Sequence, residues 1–144
     1  MNPDQLFSIV NLIAVAGWLL LIVAPYRTFT PKIIFNGVIV LLGVAYAFLI
    51  IIYWGVAPDG GFSSLEQVSN LFENRNLLLA GWIHYLAFDL LAGLFIVNNA
   101  RQHAINRWII IPCLLLTFLF GPCGLLLFVV IRSIRTKNYF VSNF

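Results

Sequence analysis

The chain has 144 residues, of which 62% are hydrophobic and only 9% charged. A soluble domain of that length buries only roughly 70% of its surface, so the composition excludes an ordinary globular fold and predicts an all-α integral membrane protein. The eight Lys and Arg exceed the five Asp and Glu by a formal +3, but they are scattered over loops and tail. They read as membrane-flanking charges and exclude a nucleic-acid interface.

The amino terminus has neither the basic start and cleavage site of a signal peptide nor the Ser- and Arg-rich composition of a transit sequence. Met1 is therefore expected to open the working protein. Four apolar stretches follow, over residues 6–24, 33–54, 77–97 and 108–131, each of the length that crosses a bilayer as a helix. Pro25 and Pro31 bracket the first turn, where proline suits helix ends. Short first and third connections make neighbouring helices antiparallel, and the expected fold is one four-helix transmembrane bundle with a polar tail over 132–144.

The second connection opens with the turn signal Pro58-Asp59-Gly60-Gly61. Phe62, Leu65, Val68 and Leu71/Phe72 then recur at helical steps against Ser64, Glu66, Gln67 and Asn70. This is a short amphipathic helix, either lying in the headgroup plane or capping the bundle mouth. With four spans the basic residues divide evenly. Arg27, Lys32, Arg101 and Arg107 fall on one side, and Arg75, Arg132, Arg135 and Lys137 on the other, so charge alone leaves the orientation open.

The third span carries Gly81-Trp82-Ile83-His84-Tyr85-Leu86-Ala87-Phe88-Asp89-Leu90. Ionisable groups at that depth are costly unless paired or facing a cavity, which makes His84, Tyr85 and Asp89 the candidate site. Tyr85 and Asp89 are an i, i+4 pair and can meet. His84 lies about 140° round the helix from Asp89, and the two could share a cavity only across neighbouring helices. The competing reading is an Asp89 held for packing alone by Tyr85, Asn11 or Asn36. The fourth span holds Pro112 and Gly121-Pro122-Cys123-Gly124. Pro122 is expected to kink it, and the small residues Cys113, Thr117, Gly121 and Gly124 to admit a partner backbone closely. Cys113 and Cys123 would lie about 15 Å apart on a continuous helix, too far for a disulfide. No phosphate-cradling loop, paired-cysteine metal pattern or serine elbow occurs, so neither cofactor nor metal is expected.

Ala24-Pro25 after the first span, Asn36-Gly37 in the second, the decapeptide 81–90, and Arg107-Trp108, Pro112, Phe120-Gly121-Pro122 and Gly124 in the fourth together resemble the abscisic-acid-deficiency-four-like membrane family. The resemblance covers nearly the whole chain. It implies a role in xanthophyll metabolism, where plant members are needed to form neoxanthin from violaxanthin by epoxide opening and isomerisation. Without a transit sequence the chain resembles a bacterial or cyanobacterial relative, placed in a plasma or thylakoid membrane with lipids and a carotenoid as its partners. The implied chemistry gives His84 or Tyr85 the acid role and Asp89 the base, with Trp82, Phe88 and Trp18 stacking along a polyene and Asn11 and Asn36 at its side. The alternatives are a non-catalytic scaffold or pigment- or lipid-binding partner of another enzyme, and a proton or solute pathway through Asp89.

Overall fold

Six helices form the fold of the computed structural model, which describes residues 2–137. α1 covers Pro3–Val23, α2 Thr30–Tyr53, α3 Leu65–Glu73, α4 Arg75–Gln102, α5 Arg107–Phe120 and α6 Pro122–Thr136. Cap residues explain most of the starts. Asn2, Ser64, Asn74 and Asn106 each accept a bond from a first-turn backbone N–H, satisfying donors that have no partner within the helix. A π-helical stretch, Ile34–Ile39, runs inside α2 and contains Asn36 and Gly37.

α1, α2 and α4 are long and apolar enough to cross a membrane. α4 is the hub. α1 runs beside it in the same direction, so residues at matching depths meet: Asn11 with Trp82, Gly17 with Leu90, and Trp18 and Leu21 with Gly93. α2 covers another side, where Tyr46 meets His84. The amphipathic helix expected in the second connection is α3. Its Leu71 is buried and Phe72 lies over Gly81, so it caps the bundle, while Phe62 and Leu65 stay exposed.

The fourth apolar stretch departs from the expected single span. α5 has 14 residues, about 21 Å of rise, which falls short of a hydrocarbon core about 30 Å thick. At Gly121 the backbone takes φ +37°, a conformation that favours glycine. Pro122 then opens α6 in the first turn, where its missing N–H leaves nothing unpaired. Proline therefore starts a new helix here and does not kink a continuous one. The new helix turns back. Gly124 comes so close to α5 that a Cβ would lie 2.2 Å from the Thr117 nitrogen and 2.5 Å from the Cys113 oxygen. The small-residue stripe does admit a close backbone, and that backbone is the chain's own.

The direction of α6 follows from its contacts with α4. Gly121 abuts Asp89, and Phe128 meets Phe95 edge-on at 6.4 Å. Advancing along α6 thus advances along α4 toward its C-terminal end, so α5 and α6 form a hairpin whose tip lies beside the midpoint of α4. Backbone that breaks beside the middle of a span is tolerated when it is buried against protein, as Gly121 is.

The turn also redistributes charge. Arg132, Arg135 and Lys137 now join Arg27, Lys32, Arg101 and Arg107 at the end opposite the amino terminus. Only Arg75 stays with Asp4, Asp59, Glu66 and Glu73. The even split expected from four spans becomes strongly one-sided. Of the tail expected over 132–144, the part up to Thr136 is the end of α6, and residues 138–144 lie outside the described residues.

Candidate functional site

Asp89 sits at the midpoint of α4 and is 8% exposed. Room for its carboxyl exists because Gly121 has no side chain: a Cβ there would lie 2.5 Å from Asp89 Oδ1. Gly121 is also the N-cap of α6, so the carboxyl faces the positive end of a helix dipole, which favours negative charge. Asp89 Oδ2 is buried and makes no hydrogen bond. A buried carboxyl oxygen left unpaired is an energetic cost that calls for an explanation.

Tyr85 lies one turn back on the same face. Its hydroxyl donates to the Leu119 carbonyl near the hairpin tip over a long 3.4 Å, and it also stands beside the Asp89 carboxyl. At that length the bond to Leu119 is weak. The i, i+4 pairing expected from sequence is thus present as proximity, with the hairpin tip as the third participant.

Beyond the tip the face of α1 and α4 is uncovered, because no fourth span continues there. Aromatic rings line it in a row. Phe7 and Trp82 have centroids 5.9 Å apart, and Trp82 and Tyr85 5.3 Å. Trp82 Nε1 donates to Asn11 Oδ1 at 3.1 Å, which fixes the indole across the two helices. Phe7 and Trp82 are partly exposed at 45% and 39%. A small cavity beside the Asp4–Arg75 ion pair reaches Phe7 and Trp82, and the row of rings continues to Tyr85, the neighbour of the buried Asp89 carboxyl.

The remaining expected residues lie elsewhere. His84 is exposed, stacks on Phe88 at 4.4 Å and tilts against Tyr46 at 5.7 Å. Helical geometry keeps it on the α2 side, away from the face that Asp89 turns to the hairpin. Trp18 is 2% exposed and packs edge-on against Phe118 at 5.6 Å, as part of the core. Asn36 is exposed and donates to the Lys32 carbonyl at 3.1 Å. Pro112 lies exposed inside α5. Phe7 and Asn99 are the residues that sequence reasoning missed. Phe7 had no polar neighbour to draw notice, and Asn99 falls just past the expected end of the third span, where polarity reads as loop.

Fold and site together define a helical membrane protein with a buried carboxyl at the tip of the α5–α6 hairpin. The model of the ABA4-like family, described as ABA DEFICIENT 4-like, matches residues 5–128, and the chain belongs to that family. The match takes in Asp89 and the whole hairpin tip. No curated protein and no solved structure matches the chain.

Proposed function

We propose that the protein is a multi-pass membrane protein of xanthophyll metabolism that isomerises an epoxy-carotenoid, with Tyr85 and Asp89 as its proton-transfer pair. The observation that carries this reading is the buried Asp89 carboxyl, one oxygen unpaired, beside Tyr85 at the end of the row of rings Phe7, Trp82 and Tyr85. Membership of the ABA4-like family supports a carotenoid-related role in general terms.

The chemistry needs two groups. Asp89, as carboxylate, takes a proton from the vinylic carbon beside the epoxide. The C–O bond on that side breaks, and the oxygen, still bonded to the other carbon, takes a proton from Tyr85. A double bond forms where the proton and the oxygen left, giving an allenic alcohol with no net change of oxidation state. Asp89 then returns its proton to Tyr85, one helical turn away. Phe7 and Trp82 hold the polyene, and the dry surroundings strengthen each charge interaction. His84 takes the place of an aromatic neighbour of Phe88.

In a host that makes violaxanthin, the chain should yield an allenic isomer detectable by chromatography. Asp89→Asn should lower that product at least about 100-fold and Tyr85→Phe about tenfold, with membrane abundance unchanged and His84→Leu close to the parent. An unaltered pigment profile in Asp89→Asn sinks the catalytic assignment. Saturable violaxanthin binding by purified protein without turnover would instead make the aromatic row a pigment-holding surface.

The one-sided charge distribution supports one orientation in a plasma or thylakoid membrane. Basic residues near span ends stay on the cytoplasmic or equivalent side, so the loops carrying Arg27 and Arg101 face inward and α3 outward. A thiol reagent that does not cross the membrane should label Asp59→Cys and not Arg101→Cys in a background without Cys113 and Cys123. The opposite labelling would overturn this orientation.

A further inference from the structure

A cavity lies in the half of the molecule away from the amino terminus. It runs between the start of α2 at Pro31 and Phe35, the C-terminal half of α4, and α6 at Leu125 and Val129, and encloses about 790 Å³. From Phe88 to Gln102 it follows fifteen residues of α4, about 21 Å of rise, the length of a long hydrocarbon chain. Phe35, Phe88 and Leu91 are exposed to the bilayer, so the cavity opens sideways into lipid.

Its end at the C-terminus of α4 is polar. Asn98, Asn99 and Gln102 gather there. Asn99 is 3% exposed, and its Oδ1 is buried with no hydrogen-bond partner. Buried side-chain oxygens are nearly always bonded, and the roomy cavity beside this one supplies space for the missing partner. Among the described residues that line it, none is charged; Arg132, buried one turn past Phe128 on α6, is not among them and is not free. A phosphate headgroup would call for Arg or Lys. A hydroxyl fits an amide, because each group both donates and accepts.

We propose that this groove binds one long, uncharged lipid alcohol, with its hydroxyl on the Asn99 amide and its chain along Phe95, Ala92 and Phe88. The site is separate from Asp89 and stands whether or not Asp89 is catalytic. It is matched to a molecule of the leaflet in which the hairpin is embedded, because both its polar end and its lateral opening lie there.

All-trans-retinol serves as the probe, and its methyl ether and phosphatidylglycerol as controls. Energy transfer from the aromatic residues of the detergent-purified full chain reads binding. Retinol should bind saturably at one site, and the methyl ether, which cannot donate, about tenfold more weakly. Asn99→Leu should weaken retinol about tenfold while leaving the ether unchanged, and Ala92→Trp should block both. Because Asn99→Leu removes an orphaned polar group, its melting temperature should equal or exceed that of the parent. Asp89→Asn should bind retinol as the parent does, which separates this site from the proposed proton-transfer pair. Equal affinity of the parent for retinol and its ether, absence of saturable retinol binding, or displacement of retinol by phosphatidylglycerol would each overturn the assignment. The comparison of the two probes on the parent holds even if Asn99→Leu fails to fold.

Discussion

α2 and α4 are both long apolar helices, yet they meet different solvents. Over their most apolar windows, 17% of α2 is buried inside the protein and 56% of α4. Ile33, Val40, Leu41, Val44, Phe48, Ile51 and Ile52 of α2 project outward, where lipid tails satisfy them as well as protein would. α4 instead presents Gly81, Gly93 and Asp89 to α3, α1 and the α5–α6 hairpin. The difference teaches that polarity inside a span, more than its overall hydropathy, separates the helix that organises a membrane fold from one that coats it. Lipid offers Asp89 and Asn99 no partner, so both must be enclosed by protein or by a ligand.

The largest break in that contrast comes from the hairpin tip that encloses α4. Gly121→Val places a β-branched residue at φ +37° and a Cβ 2.5 Å from Asp89 Oδ1. The expected loss is more than about 3 kcal/mol, enough to undo the hairpin. With Cys113 and Cys123 replaced, Phe95→Cys and Phe128→Cys should be joined by a short cross-linker that is thiol-reactive at both ends, since the rings stand 6.4 Å apart. Adding Gly121→Val should abolish that product. If the cross-link persists with Gly121→Val, the glycine is not what holds the turn. If it never forms, α6 does not run back along α4.

A sharper comparison puts one change in both helices. A Cβ at Gly93 would lie 2.6 Å from Leu21 Cδ2 and 2.9 Å from Trp18 Cη2, whereas one at Gly43 meets nothing within 4 Å. Gly93→Leu should therefore cost about 2–3 kcal/mol by overpacking, and Gly43→Leu should fall within about 0.5 kcal/mol of the parent. Thermal unfolding in one detergent reads both. Equal effects would mean that α2 is covered by a second copy or another protein and not by lipid.

The same contrast explains what was legible beforehand. Hydropathy places α1, α2 and α4 within a few residues, because a span must be apolar along its whole length whichever way it faces. The nearness of Tyr85 to Asp89 follows from i, i+4 spacing alone, whereas the stacking of His84 on Phe88 was not read from the sequence. Two larger things escaped. Residues 108–131 read as one span because their apolar run is continuous, and what divides it is a single glycine dihedral with a close approach of Gly124 to Cys113 and Thr117. That approach is tertiary, and no window of sequence contains it. Asn98 and Asn99 read as the start of a loop because polarity at a span end has the same signature whether exposed or enclosed. α4 in fact continues to Gln102 and buries Asn99.

The smallest expected effect lies where the two helices are tied together at their loops. Tyr26, between α1 and α2, donates its hydroxyl to the carbonyl of Ile105, just past the end of α4. Thr30 Oγ1 donates to the Ala24 carbonyl at 2.6 Å and holds that loop in shape. Tyr26→Phe should cost about 1 kcal/mol. Burial pushes the Tyr26 phenol above its ordinary value of 10.0. A group whose pKa is higher folded than unfolded contributes its full stability below the unfolded value and loses it as pH rises through the folded one. The gap in melting temperature between the parent and Tyr26→Phe should thus stay constant up to about pH 10 and close above it. A gap that instead closes as pH falls toward 7 would mean that the phenol is not the donor, and that the loops of α2 and α4 are joined by packing alone.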